Sequence, residues 1–445
     1  MTHRQRLTLI ATIMGSGIVL IDSTVVNLAL PHISQQLHGN FADLQWIVDG
    51  YMLSLSSLIL LGGSLGDILG RKRIYLIGLS GFGVVSLLCG LAPNMSVLIA
   101  MRALQGVFGA LLVPGALAII NTNFPQKLRG KAIGQWAAWS GIATAIGPPL
   151  GGYIVDALSW RWIFYINIPL VIICYVLAKA GITESKDEYR RTIDYRGAGL
   201  AIVALASLTF GLIEGPVHHW NGWIIAILLL GVTSFGLFIV AETHSKDPMV
   251  KLDLFASRNF TGANISTFAM YGGLSGFILA LVIFLQTGMH YSTFKAGVSL
   301  LPITAIMFSL SGRIGDLSAK YGSRIFMTVG PIIAGVGMLS LLNLKPGNSY
   351  VGHILPSLLL FGAGLVLTVS PLTITVMSSV SGDESGIASG VNNAISRVAG
   401  LIVVAFLGIL GAAHVYKFTI VLCSSLAMTA GILAYVLIRN PKAQS

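Results

Sequence analysis

Asp22 stands in the stretch VLIDSTVVNLALP (19 to 31), the one carboxylate of an apolar run. An ionised side chain near the middle of a membrane helix costs about 2.5–3.5 kcal/mol on insertion scales, so such a residue is normally paired or functional. Arg102, in MRALQGVFGALLVPGALAII (101 to 120), is a charge of the opposite sign in a second apolar run. At a rise of 1.5 Å per residue, Asp22 lies roughly 12 Å and Arg102 roughly 8 Å below the outer ends of their helices, close enough in depth to meet. Asp49 falls at a similar depth on another apolar run, and Gln105 lies one turn from Arg102. Asp22, Asp49, Arg102 and Gln105 are therefore expected to form a buried polar cluster. The chemistry open to it is proton exchange: burial strengthens a carboxyl's hold on a proton and a nearby guanidinium weakens it, so separating the two switches proton affinity. The alternative is a static ion pair. Against that stands the cost of desolvating both charges, which apolar packing avoids. Asp22 is the leading proton-coupling residue and Asp49 the next.

Other motifs bear on movement and binding. GGSLGDILGRKR (62 to 73) repeats Gly62, Gly66 and Gly70 at every fourth position, a small-residue face that lets helices approach closely. Asp67, Gly70 and Arg71 then make a candidate conformational latch at the mouth of the helix pair. Gly147, Pro148, Pro149, Gly151 and Gly152 interrupt a later run, where proline removes a backbone donor and favours a bend. Trp136 and Trp139, spaced i, i+3, either stack on an aromatic substrate or pack against other helices. Arg397 lies in a second half whose spans carry no Asp or Glu, which leaves it to bond backbone carbonyls, pair across the cavity or meet an anionic substrate group, and Asn392 and Asn393 add polar lining beside it.

The elements that must position these residues follow from composition. Hydrophobic residues make up 55% of the 445 and charged residues only 10%, the balance of a polytopic membrane protein rather than a soluble domain. Runs of about 20 apolar residues, enough to cross the hydrocarbon core, recur along the length, and the reading is all-α with fourteen spans. The first run lacks a small-residue cleavage site and is read as span one. The net charge of +11 is not a nucleic-acid signal. Counted by loop, 21 of the 27 Lys and Arg fall on one side and four on the other, which by the positive-inside rule places both termini in the cytoplasm of a multi-pass protein in the cell membrane. The three cysteines lie in apolar runs, and neither a disulfide nor a metal site is expected. GGSLG (62 to 66) fits a nucleophile elbow by letters alone. That motif needs a strand before it, and here it ends a membrane helix, so no enzyme is expected.

SGRIGDLSAKYGSR (311 to 324) weakly repeats the 62 to 73 motif, with two extra residues between Asp316 and the glycine turn. With this internal repeat the chain resembles the major facilitator superfamily, whose halves are parallel repeats around a midplane cavity. VLIDSTVVNLALP, MRALQGVFGALLVPGALAII, GIATAIGPPLGGYI (141 to 154) and WRWIFYINIP (160 to 169) resemble, in order, motifs of the fourteen-spanner drug:proton antiporters. The resemblance is dense over the first 170 residues and thinner afterwards, chiefly at SGVNNAISRVAG (389 to 400). It implies a six-helix bundle over 1–182, two additional spans with linkers over 183–254 and a second six-helix bundle over 255–445. It also implies proton-coupled export of a small amphiphilic substrate by a monomer, with protons as the coupling ion and no cofactor. Uptake by proton symport, and export of an endogenous lipid or metabolite, stay open as alternatives.

Overall fold

The computed structural model describes residues 1–186, 194–245, 248, 250–380, 385–407 and 415–440. The part of the linker at 187–193, within the segment 183–254, lies outside the described residues. The chain is a succession of helices: α1 (His3–Leu37), α2 (Phe41–Leu69), α3 (Arg71–Gly90), α4 (Met95–Asn123), α5 (Gln126–Ala157), α6 (Trp162–Tyr165), α7 (Asn167–Gly181), α8 (Tyr195–Val217), α9 (Gly222–His244), α10 (Arg258–Thr287), α11 (Thr293–Ser299), α12 (Leu301–Tyr321), α13 (Ser323–Leu339), α14 (Leu355–Ser378), α15 (Ser385–Leu407) and α16 (Val415–Leu437). No strand is found among the described residues. A hydrocarbon core offers no partner to an exposed N–H or C=O, which leaves the helix, with its bonds made internally, as the structure for these apolar runs.

Helix ends are set by local polar residues. Thr2 and Gln5 close a capping box at the start of α1, and Asn40 and Asp43 do the same for α2. Asn94, Asp194 and Asn221 cap α4, α8 and α9. Among the described residues eleven helices are long and apolar enough to cross a bilayer, or twelve when the two parts of α2, bent by 49° near residue 60, count as one span. Fourteen were expected. The apolar helix α13 has only 17 residues, and in α5 glycines, Pro148 and Pro149 dilute the apolar residues that follow its basic start QKLRGK.

Two compact units emerge. The first comprises Met1–Met249 with Ser292–Val298, and the second Val250–Tyr291 with Ser299–Ser445. The first unit is packed around Tyr51, Leu55, Tyr75, Phe82, Leu112 and Cys174, all buried. Its helices come close where side chains are missing. A Cβ at Gly106 would strike the carbonyl of Tyr51, and one at Gly62 the carbonyl of Ala110, so α2 and α4 cross backbone to backbone. The glycines of α5 serve the same purpose: Gly147 receives Thr24, Gly151 receives Val25 and Gly152 receives the backbone of Thr293 and Phe294. Through Pro148 and Pro149 the helix is continuous. The second unit has its own core of Phe260, Met327, Leu372, Val376, Val391 and Ala434.

Candidate functional site

Asp22, midway along α1, is 2% exposed, and Arg102, entering from α4, is 1% exposed. The apolar residues around them exclude water, which is what makes their pairing consequential. Arg102 Nη1 donates to Asp22 Oδ2 at 2.6 Å and to Gln105 Oε1 at 2.6 Å. Gln105 Nε2 returns a bond to Asp22 Oδ1 at 3.1 Å and another to Ser86 Oγ at 3.3 Å. Asn167, at the start of α7, donates to Asp22 Oδ1 at 3.1 Å and to Ser86 Oγ at 3.0 Å. Ser86 on α3 passes its own proton to the carbonyl of Phe164 at 3.0 Å. The guanidinium is held further by a bond from Nε to the carbonyl of Ile47 at 3.3 Å and by the face of Tyr51, 4.1 Å away. Asp22 thus accepts from three side chains on two other helices, in a network that joins α1, α3, α4 and α7. Charge-assisted bonds of this kind are the strong ones.

Asp49 behaves differently. It is buried on α2, 1% exposed, and neither of its oxygens has a hydrogen-bond partner. Depth along the helix placed it with Arg102; the direction in which its side chain leaves α2 does not. Instead α2 meets the guanidinium through the carbonyl of Ile47 and the ring of Tyr51.

Asp67 and Arg71 pair with each other across the turn from α2 to α3, Arg71 Nη2 lying 2.6 Å from Asp67 Oδ1 with a second bond from Nε at 2.8 Å. Gly70 makes the turn with φ of 112°, a conformation that glycine enters freely. Asp316, in the weak repeat, is exposed. Trp136 is half-buried and donates from its indole to Ser16 Oγ at 3.0 Å, tying α5 to α1, while Trp139 is 53% exposed. In the second unit Asn392 donates to Asn264 Oδ1 at 3.0 Å and to Thr267 Oγ1 at 2.7 Å. Asn393 is exposed and Arg397, one turn further along α15, is half-buried. Gly147 and Gly151 face α1, Gly152 faces residues 293 and 294, and the carbonyl of Pro148 lies against Gly297.

Sequence reasoning missed Asn167, Ser86 and Tyr51. Asn167 left a signal, an amide in the apolar stretch WRWIFYINIP, whereas Ser86 and Tyr51 are of types too common in membrane helices to stand out. Among the described residues no group of three or more His, Cys, Asp or Glu is arranged to hold a metal.

The chain is thus a helical membrane protein with glycine-mediated helix crossings and a charge network buried inside one unit. The model of the Major Facilitator Superfamily matches residues 12–404, and the chain belongs to that family. It is 34% identical over 411 residues to the multidrug resistance protein Stp of Mycobacterium tuberculosis, covering 92% of this chain and 76% of the relative. It is 30% identical over 410 residues to the tetracenomycin C resistance and export protein of Streptomyces glaucescens, with the same two coverages of 92% and 76%. The crystal structure of the human organic anion transporter MFSD10 (TETRAN) superposes with a TM-score of 0.68 over 97% of this chain and 99% of that one, at 16% identity, a likeness of fold.

Proposed function

We propose that this chain is a proton-driven antiporter exporting small amphiphilic, drug-like compounds by alternating access between two six-helix bundles. In this reading it has fourteen spans, the twelve above plus α5 and α13, with both termini in the cytoplasm and α8 and α9 as the additional pair. It works as a monomer in the cell membrane, takes protons as its coupling ion, needs no other cofactor and binds no nucleic acid.

One observation carries the reading: among the buried carboxylates of the first unit, Asp22 and Asp49 stand in opposite settings. Asp22 is matched by the Arg102 guanidinium and two amide donors, Gln105 and Asn167, whereas neither oxygen of Asp49 has a hydrogen-bond partner. An unmatched anion is costly in an apolar interior and a matched one is tolerated, so the two carboxylates differ in what their surroundings offer a charge. Coupling requires such a change of setting between states of the transport cycle. Moving Arg102 away from Asp22 would leave that carboxylate in need of a proton. Resistance and export in the names of the relatives support the substrate class. Gln105, Trp136, Trp139, Asn392, Asn393 and Arg397 are the residues proposed to meet substrate, and Asp67, Gly70 and Arg71 the proposed inner latch.

The test is flux in vesicles of the purified protein, with a panel of dyes, quaternary ammonium compounds and antibiotics under an imposed pH gradient. Substrate should move against the proton flow and emerge chemically unchanged. Movement along with protons would make the protein an uptake symporter, and flux indifferent to the gradient would remove proton coupling altogether.

A further inference from the structure

Gly70, the residue before α3, offers no side chain to cap that helix, and no neighbouring side chain does so. The cap comes from 112 residues away. Glu184 Oε1 accepts from the Lys72 amide at 3.0 Å and Oε2 from the Arg73 amide at 3.1 Å, and the Ser185 carbonyl accepts from the Arg71 amide at 3.0 Å. The segment bearing Glu184 is itself held, since the Thr183 amide donates to Asn123 Oδ1 at 2.8 Å. A carboxylate across two N–H groups at a helix start is favoured both by charge-assisted bonding and by the helix dipole.

The second unit repeats the device. The turn from α12 to α13 runs through Gly322, with φ of 87°, and again no neighbouring side chain caps the helix. The Arg324 amide donates to Asn440 Oδ1 at 3.0 Å. Glu184 is the third residue after the end of α7 at Gly181, and Asn440 the third after the end of α16 at Leu437. A Cβ on either glycine would collide with its cap, Gly70 meeting Glu184 Cδ at 2.8 Å and Gly322 the side chain of Asn440. Glycine at the turn and a remote cap therefore require each other in both units. They differ in chemistry: the first cap is a carboxylate, the second an amide.

We propose that Glu184 is a positioning residue for the Asp67–Arg71 latch, and that Asn440 holds the start of α13 in the equivalent way. Arg71 is the first residue of α3, so whatever fixes the first amides of α3 fixes where its guanidinium meets Asp67. The proposal rests on the alternating-access reading for its consequence in transport, but the cap itself can be tested apart from it.

The experiment compares Glu184→Ala, Glu184→Gln and Asn440→Ala in the full-length protein. Amide exchange in detergent over residues 71–74 should rise on the order of tenfold in Glu184→Ala, the range expected for a lost N-cap, and less than about threefold in Glu184→Gln, which keeps an acceptor. Asn440→Ala should raise exchange over 323–326 and leave 71–74 unchanged. A cysteine introduced as Leu69→Cys, beside the latch, should be alkylated faster in the Glu184→Ala background. Drug turnover should fall severalfold with KM unchanged, and the Gln variant should restore both. Unchanged exchange over 71–74 in Glu184→Ala would overturn the cap. Raised exchange with unchanged alkylation and turnover would leave a helix cap that positions nothing, while the transporter reading stood. If the parent protein showed no pH-driven flux, that reading would fail, and exchange and alkylation would still decide the role of Glu184.

Discussion

Arg102 Nη1 is shared between Asp22 and Gln105, each at 2.6 Å, so removing Asp22 takes the counter-charge from a buried guanidinium that then keeps only the neutral acceptors Gln105 and Ile47. Breaking a buried pair from one side costs about 3–5 kcal/mol, most of it the penalty of the stranded charge. Asp22→Asn alone should therefore lower the yield of folded protein and abolish pH-driven flux. Asp22→Asn combined with Arg102→Gln should recover yield, read by size-exclusion chromatography in detergent, without recovering flux; a double variant that transports would relieve Asp22 of its coupling role. Asn167→Ala removes one donor from Asp22 and one from Ser86. It should cost about 1–3 kcal/mol, the range for leaving buried polar groups unsatisfied, seen as a lower midpoint of thermal unfolding. Asp22, Arg102 and Gln105 were legible in the sequence because a charge in an apolar run is rare and a helix converts residue number into depth. Asp49 shows where that arithmetic ends: depth follows from rise per residue, but which neighbour a side chain faces depends on helix rotation, and that is set by packing that the sequence does not state.

At the scale of elements, α2 and α4 cross on glycines. An alanine at Gly106 would drive its Cβ into the Tyr51 carbonyl, whereas one at Gly199, in α8, meets nothing within 4 Å. Gly106→Ala should cost about 1–3 kcal/mol through overpacking, and Gly199→Ala should be neutral or slightly stabilising, as expected for alanine replacing glycine inside a helix. Thermal unfolding of the two variants side by side checks the contrast. Of the every-fourth-residue glycines of 62 to 70, read as one packing face, Gly62 seats α4, while Gly66 lies against Arg71 and Gly70 makes the turn after α2. The use of Gly147, Gly151 and Gly152 as seats for α1 and for residues 293 and 294 was not legible, because a glycine–proline cluster reads equally well as a bend. The cap on α3 was hidden for a different reason. Glu184 acts across 112 residues, and capping patterns in sequence are local.

For the whole molecule, the 21 to 4 division of loop basic residues gives a topology that reporter fusions can check. Both termini should report from the cytoplasm and the loop at 216–221 from outside; a C-terminus outside would imply an odd number of spans and end the fourteen-span reading. The apolar runs made the membrane class plain from composition alone. The span count was harder, since α13 has only 17 residues and the glycines and prolines of α5 dilute its apolar residues.

Coupling between proton and substrate is the central claim, and it is reciprocal: if protons weaken substrate binding by some factor, substrate must weaken proton binding by the same factor. Substrate added to the detergent-solubilised protein in weakly buffered solution should therefore release protons, and Asp22→Asn should abolish that release while still binding substrate. Undiminished release from Asp22→Asn would contradict the assignment and move the coupling site elsewhere, with Asp49 first in line.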